Sequence, residues 1–266
     1  MDGTVVIDCF SDSIQRYRNG YAIVAVDVIR ATTSAITAVA MGRPCFPVPS
    51  LEAALRLKAK LKDALLVGEL EGVMPDGFDM NNSPADLARR ADLSRPMILL
   101  SSTGTKLICE AGKCDAAYVA CFRDYLAVAN HLRGRYSRIA IVGAGSRGEF
   151  REEDQMCCAW IAEDLVRAGY NPKDKKTVEI IDRWSGALPD AFTGGNSVAY
   201  LRRSGQLKDL DFILEHFNDL TTAFLVRNGR VLVAPEEKQK EITRPTLNLA
   251  TPLGGWFARA RIRPPS

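Results

Sequence analysis

The sequence predicts an α/β fold, a mostly parallel sheet covered by helices with an antiparallel hairpin near the C-terminus, on three observations. Short runs rich in β-branched and aliphatic residues alternate with stretches of helical period. The runs are almost continuously apolar, which suits strands buried on both faces of a parallel sheet. Near the C-terminus, Asn228-Gly229 sits between two apolar runs in TAFLVRNGRVLVA, and both residues tolerate the positive φ of a tight hairpin turn.

Along the chain, YAIVAVD (21–27) is the first expected strand, followed by a helix from about Thr32 to Met41 with Gly42 beyond its end. Ser50 is a natural N-cap for LEAALRLKAKLK, whose apolar positions recur at helical spacing. LLVGE (65–69) and MILLSS (97–102) read as strands, separated by a Gly-, Pro- and Asn-rich loop in which Ser83-Pro84 looks like an N-cap and first helical residue. AAYVA (116–120) and RIAIVG (138–143) complete the clear strands, and Glu152 to Ala168 reads as a helix stopped by Gly169. TVEIID, ending at Asp182, is the next plausible strand, and LDFILEHF around 210–217 is helical in period. After Pro235, charge, Pro and Gly replace the periodic patterns. Residues 1–235 are therefore expected to form the α/β domain, with room for two sub-lobes, and 236–266 a C-terminal tail or arm.

Composition narrows the function classes. With 47% hydrophobic residues over 266 positions, the chain can fill a substantial core, which excludes disorder throughout. The net charge of +3 arises from 35 basic and 32 acidic side chains, far from the excess that nucleic-acid binding needs. MDGTVVIDCF has no basic n-region, and no apolar run approaches the roughly 18 to 20 residues of a membrane span, so the expectation is a cytoplasmic, non-membrane protein. Seven irregularly placed cysteines suggest reduced thiols. Without Cys-x-x-Cys spacing, and with only His131 and His216, zinc held by nitrogen and sulfur is not expected. Any metal should be oxygen-bound. The partner expected is a small anionic substrate, with self-association left open.

Ligands of parallel α/β sheets bind beyond the carboxyl ends of strands, where helix N-termini and loop amides point. Reading past each strand finds Asp27 and Arg30-Ala-Thr32-Thr33, Glu69-Leu-Glu71, Ser101-Ser102-Thr103-Gly104-Thr105, Arg123-Asp124 and Gly143-Ala-Gly145-Ser-Arg-Gly148. In the first, two hydroxyls and an arginine stand where a helix starts, an arrangement that suits an oxyanion. Capping by Thr32 or Thr33 and an Arg30–Asp27 pair would be the plainer use of the same residues. The loop GELEGVMPDGFDMNNSP brings Glu69, Glu71, Asp76 and Asp79, hard oxygen donors that suit magnesium. Ser101 to Thr105 resembles hydroxyl-rich turns that wrap anions, with Gly104 permitting close backbone approach. Gly143 to Gly148 satisfies G-x-G-x-x-G, but late in the chain; the acidic residues about 20 positions on, Glu163 and Asp164, fall inside a helix and the next plausible strand ends only at Asp182, so a dinucleotide site is not the preferred reading.

Several phosphatase chemistries lack their residues. No cysteine has arginine six positions on, no Arg-His-Gly occurs, Ile29 stands where an aspartyl-phosphate enzyme has its second Asp, and two histidines give little support to a Ser-His-Asp site. Metal-assisted transfer of phosphate to water remains.

In order, VAVDVIRATTSAITAVAMG, GELEGVMPDGFDMNNSP, LLSSTGTKLI and IVGAGSRGEFREEDQMCCA, with a fainter match through DLDFILEHFNDL, resemble the 2-phosphosulfolactate phosphatase family, magnesium-dependent enzymes associated with coenzyme M biosynthesis. The first two stretches are the specific ones, and the tail after Pro235 lies outside the likeness. The resemblance implies an α/β phosphatase acting on a 2-phosphorylated, sulfonated three-carbon acid. It puts Asp27, Arg30, Thr32, Thr33, Glu69, Glu71, Asp79, Asn82, Ser83, Gly104, Thr105, Glu153 and Asp154 on family positions.

From both lines together, Asp27 is expected to act as general base or nucleophile with Arg30 beside it. Thr32, Thr33, Asn82, Ser83 and Ser101 to Thr105 would hold substrate, and Glu69, Glu71, Asp79 and Asp154 would hold magnesium. Three departures concern the substrate's second acidic group: Leu70 where the family has Arg in a Gly-Glu-Arg run, and Thr103 and Asp124 where it has Asn. A family fold acting on another phosphorylated or phosphonate acid, and a non-catalytic anion-binding protein, are the alternatives.

Overall fold

The computed structural model describes residues 3–235; the expected tail, 236–266, lies outside the described residues. The chain runs β1 (Gly3–Cys9), a 3₁₀ turn (Ser11–Arg16), β2 (Ala22–Val26), α1 (Ala31–Ala40), β3 (Cys45–Val48), α2 (Leu51–Lys60), β4 (Leu65–Gly68), α3 (Pro84–Ala88) and β5 (Met97–Leu100). It continues α4 (Gly104–Ala111), β6 (Ala116–Ala120), α5 (Tyr125–Leu132), β7 (Arg138–Gly143), α6 (Glu152–Arg167) and β8 (Tyr170–Pro172). Three helices follow, α7 (Lys175–Trp184), α8 (Asn196–Arg203) and α9 (Leu207–Glu215), and then β9 (Phe224–Arg227) and β10 (Arg230–Val233).

The strands form one sheet in the order β4-β5-β3-β10-β9-β6-β2-β7-β1-β8. Two parallel blocks, β4-β5-β3 and β6-β2-β7-β1-β8, flank the C-terminal hairpin, which pairs antiparallel with β3 on one side and β6 on the other. The expected hairpin forms, with Asn228 at φ 53° and Gly229 at φ 71°, but it joins the two blocks in the middle of the sheet. Its antiparallel pairing on both sides makes the blocks run in opposite senses. A flat sheet would then send the carboxyl ends of β2 and β5 to opposite edges. The two blocks nevertheless share one buried cluster on the side of α1 and α4, and Gly104, beyond β5, lies against Asp27, beyond β2.

Alternation along the strands fills both faces. Val5, Ile7, Val24, Val26, Ile139 and Ile141 pack on the side of α5, α6 and α7. Val6, Ile23, Ala25, Ala140 and Val142 pack with α1 and α4, in the same cluster as Leu65, Val67, Met97 and Leu99 of the other block. The near-continuous apolar runs have this cause.

Some elements differ from expectation. TVEIID lies within helix α7: Asp174 caps it by accepting from the Thr177 amide at 2.8 Å, and Thr177, Ile180, Ile181 and Trp184 share its buried face. Burial at i, i+3, i+4 and i+7 outweighs the β-branched composition. Strand β1 has only three consecutive apolar residues before Asp8, and β3 contains Pro47, so neither reads clearly as a strand. Ser50 and Ser83 cap α2 and α3 as expected. All seven cysteines are free, and among the described residues no helix is long and apolar enough to cross a membrane.

Candidate active site

A cavity of about 660 Å³ opens where β2, β4, β5 and β7 end. Asp27, the residue after β2, is its most constrained member. The Ala31 amide donates to Asp27 Oδ1 at 3.0 Å, and the Thr32 amide and hydroxyl both donate to the Asp27 carbonyl. Thr33 donates its hydroxyl to the Val28 carbonyl at 2.7 Å. The two threonines are thus buried braces of the strand-to-helix turn and do not line the cavity. The Ile29–Arg30 peptide within this turn is cis.

Gly104, the first residue of α4, lies against Asp27. A Cβ there would come within 1.9 Å of Asp27 Oδ2 and 2.6 Å of the Ala31 Cβ. The N-termini of α1 and α4 therefore meet at one carboxylate, and their free amides favour negative charge beside it. Gly104→Ala is expected to push the carboxylate aside and lower kcat/KM on the order of 100-fold, with the melting temperature measured alongside to separate displacement from unfolding.

Four carboxylates converge here. Asp154 enters from the first turn of α6, and its Oδ1 accepts from the Val28 amide at 2.8 Å. Glu153, its neighbour, is buried with Oε2 lacking any protein partner. Glu69 follows β4 and accepts from the Gly72 amide at 2.7 Å and from both the amide and the hydroxyl of Ser102 at 2.8 Å. Burial and the Glu69 charge push the Asp27 carboxyl up to about 6. Burial and Asp27 push Glu153 up to about 7, and burial, Asp27 and Glu153 hold Asp154 well above the usual carboxylate range. Such crowding of like charge out of water is a site that a cation would relieve.

Arginines line the remainder: Arg30, Arg147, Arg151 and Arg203. Arg151 pairs with Glu149, whereas Arg147 and Arg203 are exposed and have no ion-pair partner among the described residues. Arg30 does not pair with Asp27; its Nη1 donates to Asp209 and Gln206.

Of the residues expected to hold substrate, Asn82, Ser101, Ser102 and Thr103 line the cavity. Ser83 and Thr105 are fully buried, the first capping α3 and donating to Asp209, the second bonded to Ser101. Among the residues expected to hold metal, Glu69, Glu71 and Asp154 line the cavity. Asp79 does not: it accepts from the Leu66 amide at 2.8 Å and lies 3.6 Å from Arg95, so it ties its loop to β4.

Leu70 packs into the apolar cluster under α2, not into the cavity. Asp124 is also outside it, accepting from the Cys121 amide at 2.9 Å with Oδ2 buried and unpartnered. Burial pushes this carboxyl up to about 8. An unfolded Asp titrates near ~3.9, so between these values the folded state holds the extra proton and stability falls as pH rises from about 4 to 8. Asp124→Asn is expected to remove that fall, exceeding the parent by about 2 to 4 kcal/mol at pH 8 and matching it near pH 4. Urea unfolding at both pH values measures this, and equal pH slopes in the two proteins would contradict it.

Sequence reasoning did not find Asn196, Ser197, Tyr200 and Arg203, all on α8. No strand precedes α8, so a search at strand ends passes it by, although Gly194-Gly195-Asn196-Ser197 followed by Tyr200 and Arg203 is a helix start with one polar face. Tyr200 also donates to the Gly72 carbonyl at 2.7 Å, clasping the β4 loop. The glycines of G-x-G-x-x-G serve packing here. A Cβ on Gly143 would strike Phe150, one on Gly145 would strike Phe10, and α6 starts only at Glu152, after a turn.

Among the described residues no group of three or more His, Cys, Asp or Glu side chains is arranged to hold a metal ion by itself. Magnesium, however, usually takes one or two carboxylates and completes its shell with water and substrate oxygens. Oxygen-only donors, and the unpartnered Glu153 Oε2 and Asn82 Oδ1 beside them, fit that ion.

A family model described as 2-phosphosulpholactate phosphatase matches residues 10–224. Three relatives each carry the description "probable 2-phosphosulfolactate phosphatase". The one from Clostridium perfringens (strain 13) is 32% identical over 222 residues, covering 80% of this chain and 88% of the relative. The one from Symbiobacterium thermophilum is 29% identical over 221 residues, covering 80% and 94%. With the relative from C. perfringens SM101, at 32% identity, the match spans 61% of this chain and 65% of the relative, just under two thirds of its length.

Proposed function

The chain belongs to the 2-phosphosulpholactate phosphatase family, and on that premise we propose that it is a magnesium-dependent phosphoric monoester hydrolase converting 2-phosphosulfolactate to sulfolactate and phosphate. The observation that carries this reading is the convergence of Asp27, Glu69, Glu153 and Asp154 with four arginines in one cavity. The substrate combines a phosphate with a carboxylate and a sulfonate. A site for it needs both a cation-binding floor and several fixed positive charges.

Asp154 and Glu153 would hold magnesium, with water and substrate oxygens completing its shell, and the bound ion would supply charge neutralisation and polarisation of a phosphoryl oxygen. Arg30 and the Ser101 to Thr103 turn before α4 hold phosphoryl oxygens as charge shifts among them. Asp27 accepts a proton from the attacking water. The bond between phosphorus and the C2 oxygen breaks, and the leaving oxygen takes up that proton. Arg147 and Arg203 at the mouth attract the carboxylate and sulfonate, a role that does not require arginine at position 70.

A panel of phosphorylated three- and four-carbon acids, assayed for phosphate release with magnesium, tests the assignment. The highest kcat/KM is expected for 2-phosphosulfolactate. A higher value for a carboxylated or phosphonate analogue would move the substrate while leaving the chemistry. Binding without release at any magnesium concentration would leave only an anion-binding protein.

A further inference from the structure

We infer that Asp209, on α9, is a positioning residue for the reaction: it fixes the Arg30 guanidinium so that its free edge meets the phosphoryl group. The inference rests on the reading of Arg30 as a phosphate ligand. Arg30 is only 4% exposed and Asp209 is fully buried, 2.5 Å from its Nη1. That same Nη1 also donates to Gln206, which is held in turn by Asn81 Nδ2 at 3.2 Å. Asp209 Oδ1 accepts from the Ser83 hydroxyl, anchoring the carboxylate on its far side.

Both contacts therefore fall on one nitrogen. Among the described residues Nε and Nη2 have no acceptor, yet neither is sealed from solvent, and the residue lines the cavity. The Nε–Nη2 edge is a planar fork suited to two oxygens of a phosphate. A long side chain would ordinarily lose rotamer freedom on gripping that phosphate; Asp209 and Gln206 fix it beforehand. A buried ion pair is by itself weak evidence of stabilisation, since desolvation of both charges opposes their attraction. Its placement at one corner of an otherwise free guanidinium is what points to orientation.

The test compares Asp209→Ala, Asp209→Asn and Gln206→Ala, alone and combined with Arg30→Ala, in full-length protein with magnesium. Inorganic phosphate affinity is read by calorimetry, and kcat/KM with 2-phosphosulfolactate is measured where turnover persists. Asp209→Ala is expected to lower kcat/KM on the order of 100-fold and to weaken phosphate binding. Gln206→Ala should cost about 5-fold in kcat/KM, and Asp209→Asn, which keeps an acceptor for Nη1 and a partner for Ser83, should recover most of the loss. In the Arg30→Ala background, loss of phosphate affinity from either alanine substitution should vanish.

Equal losses in both backgrounds, or no loss where Arg30 is intact, would overturn the inference. Should Asp209→Ala fail to fold, Gln206→Ala decides by the same comparison. If Arg30→Ala itself leaves phosphate affinity and kcat/KM unchanged, the role of Arg30 is what falls.

Discussion

Replacing Asp27 by Asn is expected to lower kcat by about 10³-fold while leaving the melting temperature unchanged or higher. The activity side follows from the loss of the proposed proton acceptor where the N-termini of α1 and α4 meet. The stability side follows from the surroundings. Asn keeps an oxygen for the Ala31 amide, so the turn braced by Thr32 and Thr33 is preserved. Neutralising one of several crowded, buried carboxylates also relieves repulsion with Glu69, Glu153 and Asp154. Activity and stability thus move in opposite directions, as at sites where function holds strained charge together. Turnover within a few-fold of the parent would remove Asp27 from the chemistry, and a large drop in melting temperature would mean that its role is structural.

The second large effect concerns Asp154. Asp154→Asn retains an acceptor for the Val28 amide but removes a charge from the proposed cation-binding floor. The magnesium concentration giving half-maximal activity is expected to rise on the order of 100-fold, with KM for substrate at saturating magnesium changing far less. A magnesium titration of phosphate release distinguishes this from loss of a proton-transfer group, which would lower kcat at every magnesium concentration without shifting the midpoint. An unshifted midpoint would take Asp154 out of the metal site.

Much of this architecture could be read from the sequence because its signals are local. The buried parallel strands announced themselves as apolar runs, and Asn228-Gly229 as a hairpin. Asp27, Arg30, Glu69, Ser101 and Ser102 were found because they follow strands, and the structure brings them to one cavity. The joining of two oppositely running blocks by that hairpin was not legible, since pairing of β10 with β3 and of β9 with β6 is a long-range choice with no short signature. The direction of a hydroxyl is equally hidden. Thr32, Thr33, Ser83 and Thr105 have the residue types of an anion site, but each finds a backbone or buried side-chain partner within its own turn or against α9. Asp79 enters the metal set as a loop carboxylate on a family position, whereas its geometry makes it a loop anchor. The contribution of α8 was missed because it reaches the cavity from outside the sheet.

On the proposed reading this cavity hydrolyses a phosphomonoester with magnesium, using Asp27. Its most direct test is phosphate release from 2-phosphosulfolactate by chelator-treated protein as magnesium is added back, with Asp27→Asn run in parallel. The account predicts no release before addition, saturable release after it, and at most about a thousandth of that rate in the variant. Release that is independent of added magnesium, or equal in the two proteins, would contradict it.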